Sequence, residues 1–177
     1  MSNPILIDFS RRYWALINEF PADLCGYSRF EEFFVEGIEP CLSLATEIPA
    51  ESTLLDIGSG GGLPGLVFAF LQPLAQVHLL EPRRKRWAFL REAAAALGLK
   101  HVTVHLGQWP GYEFPDGLRF DRVSVRGLKL TPAMITALRP RLAAAAEFLL
   151  FHDDNRQRVE AAGLRVSAGN SPGGDAL

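Results

Sequence analysis

Two kinds of hydrophobic spacing divide the chain. Through the first fifty residues apolar side chains recur at helical intervals. In IDFSRRYWALINEF, Phe9, Tyr13, Leu16, Ile17 and Phe20 share one side and Arg11 and Arg12 the other. Pro21 is expected to end that helix. The next stretch, YSRFEEFFVEGIEPCLSLATEI, reads as a second helix, with Ser28 as its cap, Glu31 closing a capping box and Pro40 kinking or dividing it.

From Ser52 short continuous apolar runs alternate with helical ones. STLLDIG, QVHLLE, HVTVHL, FDRVSVR, EFLLFH and LRVSA read as strands. LPGLVFAFLQ, RKRWAFLREAAAALG, LTPAMITALRPRL and NRQRVEAAG read as helices, and a Gly/Pro-rich loop follows the third strand. Apolar strands separated by helices predict an α/β fold with a doubly wound, mostly parallel sheet covered on both faces. Residues 1–50 are expected to form a helical extension packed on a single unit made of residues 51–177. The closing GNSPGGDAL is small and polar and is expected to fray.

Composition narrows the partners. The 177 residues are 48% hydrophobic and 21% charged with a formal net charge of −2, so any nucleic-acid contact must rest on a local basic patch. Cys25 and Cys41 have neither CxxC spacing nor neighbouring histidines, which argues against zinc and for reduced thiols. The start lacks a signal-peptide core, and no apolar run approaches the ~20 residues of a membrane helix. A cytoplasmic protein bound neither to membrane nor to metal is expected.

The chemistry concentrates in LLDIGSGGGLPGL. Gly60, Gly62 and Gly65 satisfy GxGxxG spacing, the mark of a backbone that turns sharply after a strand and approaches a ligand closely. Glu81, at the end of the second strand, can accept hydrogen bonds from the ribose hydroxyls of an adenosine. Both features fit a nicotinamide cofactor and S-adenosylmethionine alike. Asp56, two places before the first glycine, separates them. A carboxylate is unfavourable beside a pyrophosphate and favourable beside an ammonium and a sulfonium.

LLDIGSGGGLPGL followed by LLEPRRKRWAFLREAAAALGLKHVTV resembles the ribosomal RNA small-subunit methyltransferase G family, also called glucose-inhibited division protein B. The family signature, roughly D-[VI]-G-[ST]-G-[AG]-G-[FL]-P-G, is filled without a gap by Asp56, Ile57, Gly58, Ser59, Gly60, Gly61, Gly62, Leu63, Pro64 and Gly65. Glu81, Lys85, Arg86, Phe89 and Leu90 occupy the positions of its acid, basic stretch and aromatic-Leu pair, and Arg126 matches the arginine after its fourth strand. The resemblance implies a seven-stranded methyltransferase fold, S-adenosylmethionine as cofactor, and methyl transfer to a guanine N7 of small-subunit ribosomal RNA. It implies a donor site made of Asp56, Gly58, Ser59, Gly60, Gly62, Leu63, Pro64, Glu81, Pro82, Gln108, Trp109 and Arg126.

Several positions depart from the family. Glu32 and Phe33 stand where Arg and His are expected, and only the acid Glu36 survives in kind from that motif. Gln108, Trp109 and Pro110 replace Arg-Ala-Glu, Gly127 replaces an alanine, and His152 replaces a lysine. The closing hairpin strand is expected to be missing.

Arg126, at a strand C-terminus, is the candidate catalytic residue, able to grip a guanine O6 or a phosphate. Arg83, Arg84, Lys85 and Arg86 place cations at a helix start, against its dipole, which suggests contact with RNA phosphates; a solvated helix start is the alternative. Trp109 either stacks on the adenine or plugs the core, and Trp14 and Trp87 read as core. The four histidines have no ligand-like spacing and are assigned no role. Transfer to another acceptor, a nucleoside-binding relic without catalysis, and a nicotinamide-dependent oxidoreductase stand as competing functions.

Overall fold

In the computed structural model, which describes residues 3–151 and 153–168, the strands are β1 (Thr53–Ile57), β2 (Gln76–Glu81), β3 (Val102–Leu106), β4 (Phe120–Val125), β5 (Leu142–Leu150) and β6 (Arg165–Ala168). Helices α4 (Gly65–Leu71), α5 (Arg84–Ala96), α6 (Pro132–Leu138) and α7 (Asp153–Ala161) connect them, joined by a long loop between β3 and β4. The sheet order is β3-β2-β1-β4-β5-β6 with every pairing parallel. The winding reverses between β1 and β4, and ligands in open α/β sheets bind outside the strand ends at that point. The fold class read from the sequence holds. Six strands lie among the described residues, and β6 pairs directly with β5. His152, the closing residues from 169, and any seventh strand they could supply lie outside them.

Period-two alternation sorts the sheet's side chains. Leu54, Val77 and Leu79 pack with the N-terminal helices, α4 and α5. Leu55, Ile57 and Leu80 pack with α6, Val159 of α7 and the loop residues Trp109 and Phe114. Covered on both faces, β1, β2 and β4 bury most of their residues, and the buried side chains there and at the end of β5 are mostly apolar.

The N-terminal helix α1 (Pro4–Glu19) ends one residue before the Phe20-Pro21 step. Its Asn3 side chain caps the Ile5 amide, and Leu6, Phe9, Tyr13 and Ile17 are buried. The second helical stretch is continuous but changes pitch: α2 (Phe30–Glu32), a π-helical segment over Phe33–Ile38, then α3 (Glu39–Ala45). The expected capping box is displaced. The helix starts at Phe30, and Glu32 rather than Glu31 reaches back, accepting from the Ser28 amide at 3.2 Å and from the Arg29 guanidinium at 2.7 Å. Pro40 acts as expected, in the first turn of α3 directly after the π segment. Trp14 and Trp87 are only half-buried: Trp14 packs on Phe33, and Trp87 donates to the Val104 carbonyl beneath Arg91.

Beneath the β3–β4 loop lies a small polar chain. His78 Nδ1 and His105 Nε2 are 2.9 Å apart, and His105 Nδ1 is 2.8 Å from the Tyr112 hydroxyl. Each short contact needs one donor and one acceptor, so the two imidazoles cannot both be protonated. Burial pushes His78 down to about 4 and also lowers His105. Between about pH 6.5 and 4 an unfolded chain therefore binds protons that the folded one refuses, and stability falls as pH falls. Asp56, raised by burial to about 6, works the other way in the same window, since the folded state takes its proton first. Wild type is expected to lose about 1 kcal/mol more than His78→Leu between pH 7 and pH 5, allowing for partial exposure of the pair. Urea unfolding at the two pH values measures the difference, and equal losses would show that the histidine chain does not set the acid limb.

Candidate donor and acceptor site

A cleft of about 640 Å³ opens at the switch point between β1 and β4, within the roughly 300–1,000 Å³ usual for cofactor pockets. One wall is the glycine turn, with Gly58, Ser59, Gly60, Gly61 and Leu63; Glu81, Pro82, Arg83 and Arg86 form the floor beside it. Arg126, Gly127 and Leu128 follow β4, and the opposite wall comes from the N-terminal extension, including Leu24, Tyr27, Glu32 and Glu36.

The glycines divide by purpose. Gly58 and Gly60 take positive φ angles of 73° and 56°, which turn the chain away from β1 and bare its backbone to the cleft. Gly61, Gly62 and Gly65 are glycines for lack of room. A Cβ on Gly62 would stand 2.5 Å from Leu66 and 2.6 Å from the Tyr13 hydroxyl, and one on Gly61 would stand 2.5 Å from the Leu24 carbonyl. Tyr13, fully buried, donates to the Gly61 carbonyl, so α1 is bolted directly to the turn. Its hydroxyl is pushed well above the usual range, chiefly by desolvation, and stays protonated as a donor.

Glu81 is 3% exposed yet lines the cleft. One carboxylate oxygen accepts from the Gly60 amide at 2.8 Å and the other from the Arg83 amide at 2.9 Å. Each oxygen keeps a lone pair, so the group is held rigidly with acceptor capacity left for a ligand's hydroxyls. An adenosine fits this arrangement: a carboxylate for its ribose, and bare backbone beside it.

Asp56 does not stand on the cleft wall. It is 1% exposed and turned toward α4, as the shared parity with Leu54 requires. Oδ1 accepts from Ser124 Oγ at 2.6 Å, tying β1 to β4. Oδ2 lies near the Gly65 amide without meeting hydrogen-bond geometry and has no other partner. The carboxylate expected beside the donor's cationic groups thus stands behind the turn and underpins it. Gly62 and Pro64 sit behind the turn rather than on the cleft. Gln108 is exposed away from it. Trp109 is core: its indole donates to the Met134 carbonyl at 3.0 Å and packs near Phe114.

Arg126 lines the cleft, but most of its donors are spent inside the protein. It donates to the carbonyls of Glu36 (2.5 Å) and Gly37 (2.9 Å) and to the Tyr27 hydroxyl (3.1 Å), and it lies over the Phe151 ring. A free guanidinium awaiting a guanine is not what the structure shows. The reason is local. The π-helical segment presents the carbonyls of Glu36 and Gly37 to this side, and both receive the guanidinium. Cys41, its thiol pushed up to about 12 by burial, shares the Gly37 carbonyl at 3.3 Å.

Of the basic run, Arg83, Arg84 and Lys85 are exposed, while Arg86 turns back to the Asp23 carbonyl. The same four residues and Asp23 border a second hollow of about 380 Å³ beside the cleft. Spacing alone missed the N-terminal wall. The available signal was Glu32 and Glu36, one helical turn apart in the segment aligned with the family's N-terminal motif.

The fold has solved counterparts. A precorrin-6Y C5,15-methyltransferase from Geobacter metallireducens superposes with a TM-score of 0.58 at 18% identity, over 82% of this chain and 74% of that one. A methyltransferase from Thiobacillus denitrificans solved with S-adenosylhomocysteine gives 0.52 at 17% identity, over 82% and 54%. At such identities the likeness is one of fold. Sequence relatives are more specific. The ribosomal RNA small subunit methyltransferase G 1 of Syntrophobacter fumaroxidans is 31% identical over 68% of this chain and 56% of its own length. Its counterpart in Hydrogenovibrio crunogenus is 47% identical over 52% and 43%. The chain spans about half the length of these curated relatives. The family's sequence profile matches residues 10–164, nearly the whole described fold. The match spans the glycine turn, Glu81 at the end of β2 and Arg126 after β4, and the chain belongs to the rRNA small subunit methyltransferase G family.

Proposed function

We propose that the protein is an S-adenosylmethionine-dependent methyltransferase that methylates a guanine N7 in small-subunit ribosomal RNA, in the cytoplasm where such subunits are found. The cleft carries this reading: a rigid carboxylate, Glu81, beside a bare glycine turn at the sheet's switch point, in a chain of this family.

Gly58, Ser59 and Gly60 would border the donor's amino-acid end, Glu81 its ribose, and Pro82 and Leu128 the faces of its adenosine. When bound, S-adenosylmethionine supplies an electrophilic methyl group on sulfur. Guanine N7 offers a lone pair and needs no base to free it. The protein's share of catalysis is then to hold the acceptor in line, an effect amounting to roughly 7–11 kcal/mol in favourable cases. Exposed Arg83, Arg84 and Lys85 lie beside the cleft, where they would meet the phosphates flanking the target base. The N-terminal fifty residues form the acceptor-side wall. Glu32 and Phe33 favour a second reading, transfer to another RNA, because the family's Arg-His pair is replaced by a carboxylate tied to Arg29 and a fully buried ring.

Calorimetry with S-adenosylhomocysteine and with NAD, followed by methylation of small subunits lacking the modification, tests the proposal. The expected result is binding of S-adenosylhomocysteine alone and one labelled 7-methylguanine. Binding of NAD alone would overturn it, and label in another RNA only would select the second reading.

A further inference from the structure

The N-terminal wall contains a carboxylate that the fold does not use. Glu32 is occupied by Arg29 and the Ser28 amide. Glu36 is different. Its main chain is pinned, since its carbonyl receives the Arg126 guanidinium. The π-helical pitch, marked by the Glu39 amide bonding five residues back to the Phe34 carbonyl, sets the direction of this turn. The neighbouring Gly37 is pressed against the donor turn: a Cβ there would stand 3.1 Å from Leu63. Yet the Glu36 carboxylate is exposed, lines the cleft and makes no hydrogen bond or ion pair among the described residues. A rigid main chain carrying an unengaged side chain, beside the turn that would hold the donor, is an arrangement suited to a ligand.

The ligand's chemistry follows from the group. A carboxylate presents two acceptor oxygens side by side and no donor. Among the bases, guanine alone presents two adjacent N–H donors, N1–H and the 2-amino group, on its Watson–Crick edge. Its N7 lies across the purine from that edge. We propose that Glu36 reads the acceptor base, taking the N1–H and 2-amino donors of guanine so that N7 is turned toward the methyl donor. Adenine, with an acceptor at N1, would set a lone pair against the carboxylate and be refused. The assignment rests on the guanine-N7 reading above.

Electrostatics gives the test its force. If Glu36 were only a solvated acid, removing its charge would strengthen attraction for a polyanionic RNA and leave the rate equal or higher. If it reads guanine, Glu36→Gln exchanges one acceptor for a donor facing a donor, and the rate falls. The experiment compares wild type and Glu36→Gln on small subunits lacking the modification, with S-adenosylhomocysteine affinity measured on the same preparations. The expected result is a fall in kcat/KM of about 10- to 100-fold, with donor affinity within about twofold and an unchanged Tm, because the side chain supports nothing in the fold. Transfer by wild type that is equal or faster in Glu36→Gln would overturn the assignment and leave the guanine-N7 reading standing. A wild type that methylates no guanine N7 in the subunit would overturn both.

Discussion

Glu81→Ala is expected to abolish useful donor binding. The carboxylate would meet the ribose hydroxyls through charge-assisted bonds, each worth about 1.5–3 kcal/mol. Losing two such bonds lowers affinity by at least about 100-fold. The substitution also strips the Gly60 and Arg83 amides of their acceptors inside the protein. Gly60 then loses the contact that holds the turn open toward the cleft, so a folding cost of about 2 kcal/mol should accompany the binding loss. Calorimetry with S-adenosylhomocysteine reads the first effect and urea unfolding the second. Near-wild-type affinity in Glu81→Ala would mean that the adenosine lies elsewhere.

Gly65→Ala should cost the fold heavily for a single added methyl group. α4 starts at Gly65, pressed onto β1 and β2. An added Cβ would stand 2.3 Å from Leu79 Cδ2 and 2.8 Å from Asp56 Oδ2, both on buried residues. Neither can retreat cheaply: Leu79 is fully packed, and Asp56 is tied to Ser124. Overpacking of this kind costs about 3 kcal/mol, a fall in Tm of roughly 6–12 °C for a domain of this size. Gly26→Ala is the control, because a Cβ at Gly26 meets nothing within 4 Å. Equal melting temperatures for the two variants would show that α4 can lift from the sheet.

Much of this was legible before any coordinates. Strands covered on both faces are rich in apolar residues, so short apolar runs marked all six, and helical spacing marked the helices between them. Glu81 was also legible, because a strand's end is a fixed address in a parallel sheet. Asp56 stands behind the turn rather than on the cleft wall, and parity carries the clue. It shares parity with Leu54, so its side chain turns under α4 with the other residues of that face, however near the glycines it stands in sequence. Arg126 was located correctly, but its engagement was invisible. Its partners are the carbonyls of Glu36 and Gly37, 90 and 89 residues away in sequence. What places them there is the packing of the N-terminal helices on the sheet, which local spacing does not announce. Trp109 followed the ordinary rule that a large aromatic after a strand packs, and the displaced helix cap turned on which of two adjacent glutamates could reach Ser28.

The bond between Arg126 and the Glu36 carbonyl also bears on the order of assembly. A chain emerging from the ribosome at about 5–20 residues per second makes the bulged helix first and must wait roughly 5–18 seconds for the arginine that completes it. Through that interval the Glu36 carbonyl is without the guanidinium that reaches it in the folded protein. The extension therefore gains its final shape only when β4 has joined the sheet. The wall facing the acceptor is translated among the first parts of the protein and is finished among the last.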